Sequence, residues 1–584
     1  MTAPTFNTAA TAYNIAINGG GTISAATATT FSNTGTLTLA GTTAFTKGVT
    51  AIAPSGISLN GTVTAANTGV ITLGDSDTGV SVTGNSTVGG TSTGNITLGA
   101  ASLADNVTLT VGGGAYAANI TLSTVTGTAN GLSSNFTINT TGTVSVGTVG
   151  TDIGTVTVTR SGGTTFNSTV SAATITLSDS TAASSITFSG NVTASSGLSA
   201  AGTANAYNVI FNGVSNTIAS TTTLSNTGTV TLVSGSGSST FSGGVTATAP
   251  SQVNIGGTIN SSNATISIGD SNTPITLTAD STISGNTAGN IILGGTIDGA
   301  FALTLNTVGD TRLQGAVGGT TALTSLTTNT GGSVVISGGS VRTTGTQTYG
   351  DAEFLLGANT TLTTTSNGNI SIAGDITNTS TRNLTLDTGL VSGTISVTGT
   401  VGSAYGVALG TITISKSAGT TFASSVDAAT ITISDSKAST AITFSGNVTA
   451  TTGLTVTGTA NAYNVVFNGS SNTIAGATTF SNTGTVTLGN GGDTTTFTGG
   501  LVATAPSQVN IGGTVQATDS TISIGDAGTP TVLTANSVIS AGNGAITLGG
   551  TVNGAFTLDV NTTGTTTFSG VIGGSTALTS LTTN

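Results

Sequence analysis

The sequence predicts an all-β chain wound as a parallel β-helix, a solenoid with coils of about 21 residues. Three observations predict it. Apolar Val, Ile, Leu and Phe alternate with polar residues at period two, which puts one face in and one face out. Short alternating runs end at Gly-Gly or Asn-Gly turns. Whole phrases recur: "AYNIAINGGGTISAATATTFSNTGTLTL" at Ala12 returns as "AYNVIFNGVSNTIASTTTLSNTGTVTL" at Ala206 and "AYNVVFNGSSNTIAGATTFSNTGTVTL" at Ala462. The β-branched content, the 88 glycines and the lack of a 3.6-residue period exclude helix. An antiparallel sandwich would need discrete domains of about 100 residues, and the text shows no such breaks.

Residues 1–154 read as a shortened first long unit, with Tyr13, "SNTGTLTL" at Ser32 and "APS" at Ala53 in matching order. A full unit follows at 155–410. The third, 411–584, is truncated; "TVTVTRSGGTTF" at Thr155 returns as "TITISKSAGTTF" at Thr411, and "APSQVNIGGT" at Ala249 returns at Ala505, each displaced by 256. Inside the long unit, "GNIILGGTIDGAFALTLNTVGD", "TRLQGAVGGTTALTSLTTNTGG" and "SVVISGGSVRTTGTQTYG" follow one another as single coils. In "FALTLN" the inward set is expected to be Phe301, Leu303 and Leu305, matched by Phe556, Leu558 and Val560, while Thr304 drifts to Asp559 outside. Residues 331–368 lack a full counterpart in the first unit and are expected to be looped out or to form two irregular coils. The whole is expected to be one continuous solenoid over 1–584, some 28 coils on the order of 130 Å long at one strand spacing per coil. Both ends fall within the array, so the chain reads as a piece of a longer one.

Composition then narrows the function. Only 4% of residues are charged, against about a quarter in ordinary globular chains, yet 36% are hydrophobic and the mean hydropathy is +0.33, too much apolar supply for disorder. Seven basic residues against 19 acidic ones offer no surface for phosphate, so nucleic acid is not an expected partner. No apolar run is long enough for a membrane span, and "MTAPTFNTAATAYN" has no basic or apolar signal region. Any secretion signal is expected outside this chain. The absence of Cys excludes disulfides and thiol chemistry and is compatible with export.

The phrases "SNTGTVTL", "GGTI", "TTGTQTYGDAEFLLGANTTLTT" and "GNISIAGDI" resemble the repeat region of filamentous-haemagglutinin-like adhesins, two-partner-secreted surface proteins of Gram-negative bacteria, and more loosely autotransporter passengers. The resemblance covers nearly the whole chain and rests on repeat style. It implies a right-handed parallel β-helix, an extracellular, cell-surface location, and a role in adhesion, aggregation or biofilm cohesion. The family's secretion domain and a terminal receptor-binding domain have no counterpart in these residues.

Candidate chemistry is sparse. A polysaccharide-cleaving solenoid needs two carboxylates at a set separation, with basic or His partners. Here there is no His and one Glu. Asp351 and Glu353 form the nearest pair, expected on one side of a strand at a solvated bend, and no catalytic residue is assigned. Asp75, Asp270 and Asp526 recur at equivalent corners, "GDSDTGV", "GDSNTP" and "GDAGTP". They are weak calcium candidates, but Asp77 becomes Asn272 and then Gly528, so an Asx turn is the expected role; no cofactor or metal is expected. Thr-x-Thr runs raise ice binding, which needs Thr pairs in register over many coils; outward Thr is expected to alternate with Ser, Asn, Asp and Gly. The six Tyr and seventeen Phe are expected as core stacks, Phe188 with Phe444 and Phe211 with Phe467 in equivalent places.

The expected function is a non-enzymatic structural shaft of a surface adhesin or filament that self-associates end to end or laterally, with a cell-surface or glycan receptor left open. A self-assembling sheath or surface-layer subunit is the alternative; ice-binding protein and polysaccharide depolymerase rank below it.

Overall fold

A computed structural model describes residues 1–90, 93–113, 117–129, 131–402 and 406–584. The described residues are all strand and turn, with no helix. They group into two compact units, Met1–Gly295 and Thr296–Asn584. Each unit is a parallel β-solenoid.

In the first unit, strands stack on the strands one coil earlier, in register. One outward column runs through twelve successive coils, from Thr30 and Thr50 through Thr72, Thr97 and Thr121 to Thr276. The inward neighbours follow the same ladder: Leu73, Leu98, Leu122, Val146, Phe166, Phe188 and Phe211 lie over one another and are fully buried. Parallel in-register pairing places like on like. Phe166, Phe188 and Phe211 therefore stack, with centroids 5.0 and 5.2 Å apart and rings within 12° of parallel.

The second unit repeats this. An outward column runs from Thr304 through Thr327, Thr348 and Ser371 to Asn553. Phe422, Phe444 and Phe467 stack at 5.2 and 5.0 Å. Residues 331–368 are neither looped out nor irregular: Ser333 pairs with Asp310 and Glu353, and Gln347 with Leu326 and Ile370. Their alternation is regular enough to stack, and the missing counterpart reflects an additional stretch of coils. Coil length varies more than the short period suggests, from 19 residues between Thr157 and Thr176 to 28 between Leu384 and Ile412.

Two core expectations need correction. Phe301 and Phe556 are only half-buried, because each sits in a tight turn before its strand, its amide bonded to the carbonyl of Gly299 or Gly554 at 2.8 Å. Leu303, Leu305, Leu558 and Val560 are buried as expected. Tyr207, Tyr349 and Tyr463 lie in the core, but Tyr13 is 39% exposed, its hydroxyl accepting from the Ala9 amide at 3.0 Å. Tyr207, by contrast, donates its hydroxyl to the Leu177 carbonyl at 3.1 Å. Tyr116 and Tyr405 lie outside the described residues. No helix among the described residues is long and apolar enough to cross a membrane.

Candidate functional sites: the repeated seams and the carboxylates

The phrase "AYN…SNTGT" closes a seam between successive coils, three times over. In the second copy Asn226 is buried, and its Nδ2 donates to the Tyr207 carbonyl at 3.0 Å. Asn482 does the same to Tyr463 at 2.9 Å, and Asn33 to Tyr13 at 3.1 Å. The second Asn works in the opposite direction: Asn208 Oδ1 accepts from the Thr229 amide and hydroxyl at 2.8 and 3.0 Å, as Asn464 does from Thr485. Asn14 accepts from the Thr36 amide at 2.9 Å. Glycine is required between them, since a Cβ on Gly35, Gly228 or Gly484 would come within 2.3 Å of the Tyr carbonyl oxygen. The two Asn of the phrase thus bond backbone groups of an adjoining coil, and the Gly leaves room for the first of these contacts.

Two later copies carry a further clamp. Asp179 accepts from the Thr203 hydroxyl at 2.9 Å and from Asn205 Nδ2 at 3.1 Å, beside Tyr207, whose hydroxyl donates to the Ala201 carbonyl at 2.9 Å. Asp435, Thr459, Asn461 and Tyr463 repeat it. Burial, then the Asp179 charge, pushes the Tyr207 phenol well above its usual range, and Tyr463 follows with Asp435. Sequence reading did not single out this clamp, although the recurrence of "SDS" with "GTANAYN" is its signal.

The calcium candidates are turns. Asp75 Oδ1 accepts from the amides of Asp77 and Thr78, both at 2.9 Å. Asp270 and Asp526 each accept from the amide two residues on, Asn272 and Gly528, at 2.8 Å. The Thr of each corner reaches the coil before it: Thr78, Thr273 and Thr529 lie 2.7, 2.6 and 2.6 Å from the carbonyls of Pro54, Pro250 and Pro506. That tie explains why "APS" and "GD" travel together. Gly74, Gly269 and Gly525 turn the corner at φ of 75°, 72° and 74°, a region that side chains resist. No group of three or more acidic or metal-ligating side chains that could hold a metal occurs among the described residues.

Asp351 and Glu353 do not form a solvated pair. Asp351 is 2% exposed, at the bend before the strand Glu353–Leu356. The Thr328 hydroxyl donates to its Oδ2, and its Oδ1 accepts from no other residue among those described. Burial pushes the carboxyl up to about 6. Glu353 is half-buried and accepts from the Thr377 hydroxyl at 2.7 Å. The alternation expected to put both on one side breaks at the bend, and the two carboxyls take different environments.

The outward Thr are more regular than expected. One column keeps Thr at positions 62, 87, 110, 137, 157 and 176 before Ser199, because in-register stacking converts a weak sequence preference into a continuous row. The column beside it runs Thr108, Asn135, Thr155, Thr174, Gly197, so the row of pairs is broken. Comparison with family profiles, with curated proteins and with solved structures gave no match.

Proposed function

We propose that this chain is a non-enzymatic structural shaft of an extracellular bacterial surface adhesin or filament, built to make length and to associate. The observation that supports this reading most is the destination of the repeated polar residues. In the threefold phrase, Asn, Thr and Gly contact the chain's own coils, so duplicating the phrase duplicates an interface. A repeated ligand site would instead aim its polar groups outward. The adhesin-like repeat style is consistent with it, as is the low charge, which leaves little repulsion between copies.

The test is direct. Beads coated with the purified chain are expected to clump or adhere to bacterial or glycan surfaces, while polysaccharide incubated with the chain releases no reducing ends. Two-dimensional ordered lattices in the electron microscope would favour the sheath or surface-layer reading. Released reducing ends would establish a depolymerase, and shaped ice crystals with a depressed growth temperature would establish ice binding. Any of these last three results, without adhesion, overturns the shaft reading.

A further inference from the structure

The segment without a counterpart elsewhere in the chain also holds its most unusual carboxylate. Asp351 sits at the bend between the strands Gln347–Tyr349 and Glu353–Leu356, 2% exposed, with Thr328 of the strand Ser325–Thr328 against its carboxyl. One oxygen takes the Thr328 hydroxyl; the other has no donor from another residue. The Tyr349 hydroxyl is turned to Gln347 Oε1 at 3.0 Å and does not serve it. An ionised carboxylate here is desolvated with a single donor from another residue, which is costly.

The surrounding charges supply no partner that offsets this. Glu353 stands directly opposite Asp375 on the next rung, and like charges opposite one another destabilise a strand pair. The rung below, Ser333–Ile336, carries no charge. One coil further down, Asp310 is held low by hydrogen bonds from Arg312 and Ser333, and Arg312 is committed to it at 2.8 Å. Among the described residues no basic side chain is paired with Asp351, Glu353 or Asp375.

We propose that the coil around Asp351 is a pH-responsive weak point of its unit, closed in mildly acidic solution and opening locally as the pH passes into the neutral range, while distant coils of the same unit stay shut. Protonation removes the buried charge. Because the folded carboxyl titrates at about 6, above its ordinary 3.8, closure is favoured below the ordinary value and is weakened as pH rises through the folded one.

Hydrogen exchange of the full chain, corrected for intrinsic rates, tests this at about pH 5 and about pH 7.5. The amides to follow are Gly350 and Ala352, bonded to the carbonyls of Thr328 and Gly332. Their opening equilibrium should rise roughly tenfold between the two conditions. The amides around Phe422 and Phe444 should not change. Asp351→Asn should abolish the difference, and Glu353→Gln should retain it. Equal protection at both pH values in the unaltered chain overturns the proposal whatever the variants do. So does a pH dependence that survives in Asp351→Asn, or one lost in Glu353→Gln.

Discussion

At the scale of single residues, the seam is held by groups whose replacement has a calculable sign. Asn226→Ala leaves the Tyr207 carbonyl without its buried donor, a loss of about 1–3 kcal/mol. Amide exchange between Tyr207 and Thr229 should speed up, and the equivalent span from Tyr463 to Thr485 should not. Gly228→Ala should do more damage, since the new Cβ meets backbone and cannot be accommodated by a rotamer change. Phe188 lies between two parallel rings in a fully buried column, so Phe188→Ala should cost about 3–5 kcal/mol, read as a lower melting temperature. Asp351→Asn should stabilise the protein at neutral pH, by on the order of 2 kcal/mol, and have no stabilising effect near pH 4, because the cost of the buried charge appears only as pH rises from about 3.8 through about 6. Melting curves of both chains across that range check it. Residue environments of this kind were the least legible part of the sequence. "TYGDAE" looks like a hydrophilic bend, and nothing in it says that Asp351 points inward. Tyr13 shares its phrase with Tyr207 and Tyr463, yet it is 39% exposed where they are buried, and nothing in the phrase distinguishes it from them.

At the scale of the element, alternation and turn residues carried most of the information. Inward columns such as Leu73, Leu98 and Leu122 follow from period two alone, and the positive-φ glycines of the three corners follow from "GD". Strand ends did not. Phe301 fits the alternation of "FALTLN" but falls in the turn ahead of the strand Ala302–Thr307, where backbone bonding to Gly299 overrides side-chain pattern. Coil lengths of 19 and 28 residues were likewise hidden, since corners absorb insertions without disturbing the rungs. The aspartate corners use their oxygens on their own turn amides, so adding a chelator should leave the melting temperature unchanged, and Asp75→Asn, which keeps an accepting oxygen, should be nearly neutral. A melting temperature that falls with chelator and is restored by calcium would show that these corners hold metal.

At the scale of the molecule, the 256-residue repeat makes a strong claim about interchangeability. Thr155 and Thr411 open equivalent phrases, and their strands, Ile153–Arg160 and Leu409–Lys416, both stack in register on the coils that follow, Val156 on Ile175 and Ile412 on Ile431. If the repeated residues exist to join coil to coil, one long unit is removable. The most direct measurement is therefore on a chain lacking residues 155–410, with Gly154 joined to Thr411. Circular dichroism per residue should match that of the full chain, and hydrogen exchange at the seam of Tyr463, Asn464, Asn482 and Thr485 should be as slow as before. A shortened chain that loses its β signal, or whose seam exchanges freely, would contradict the account, because the repeats would then not be interchangeable units of stacking.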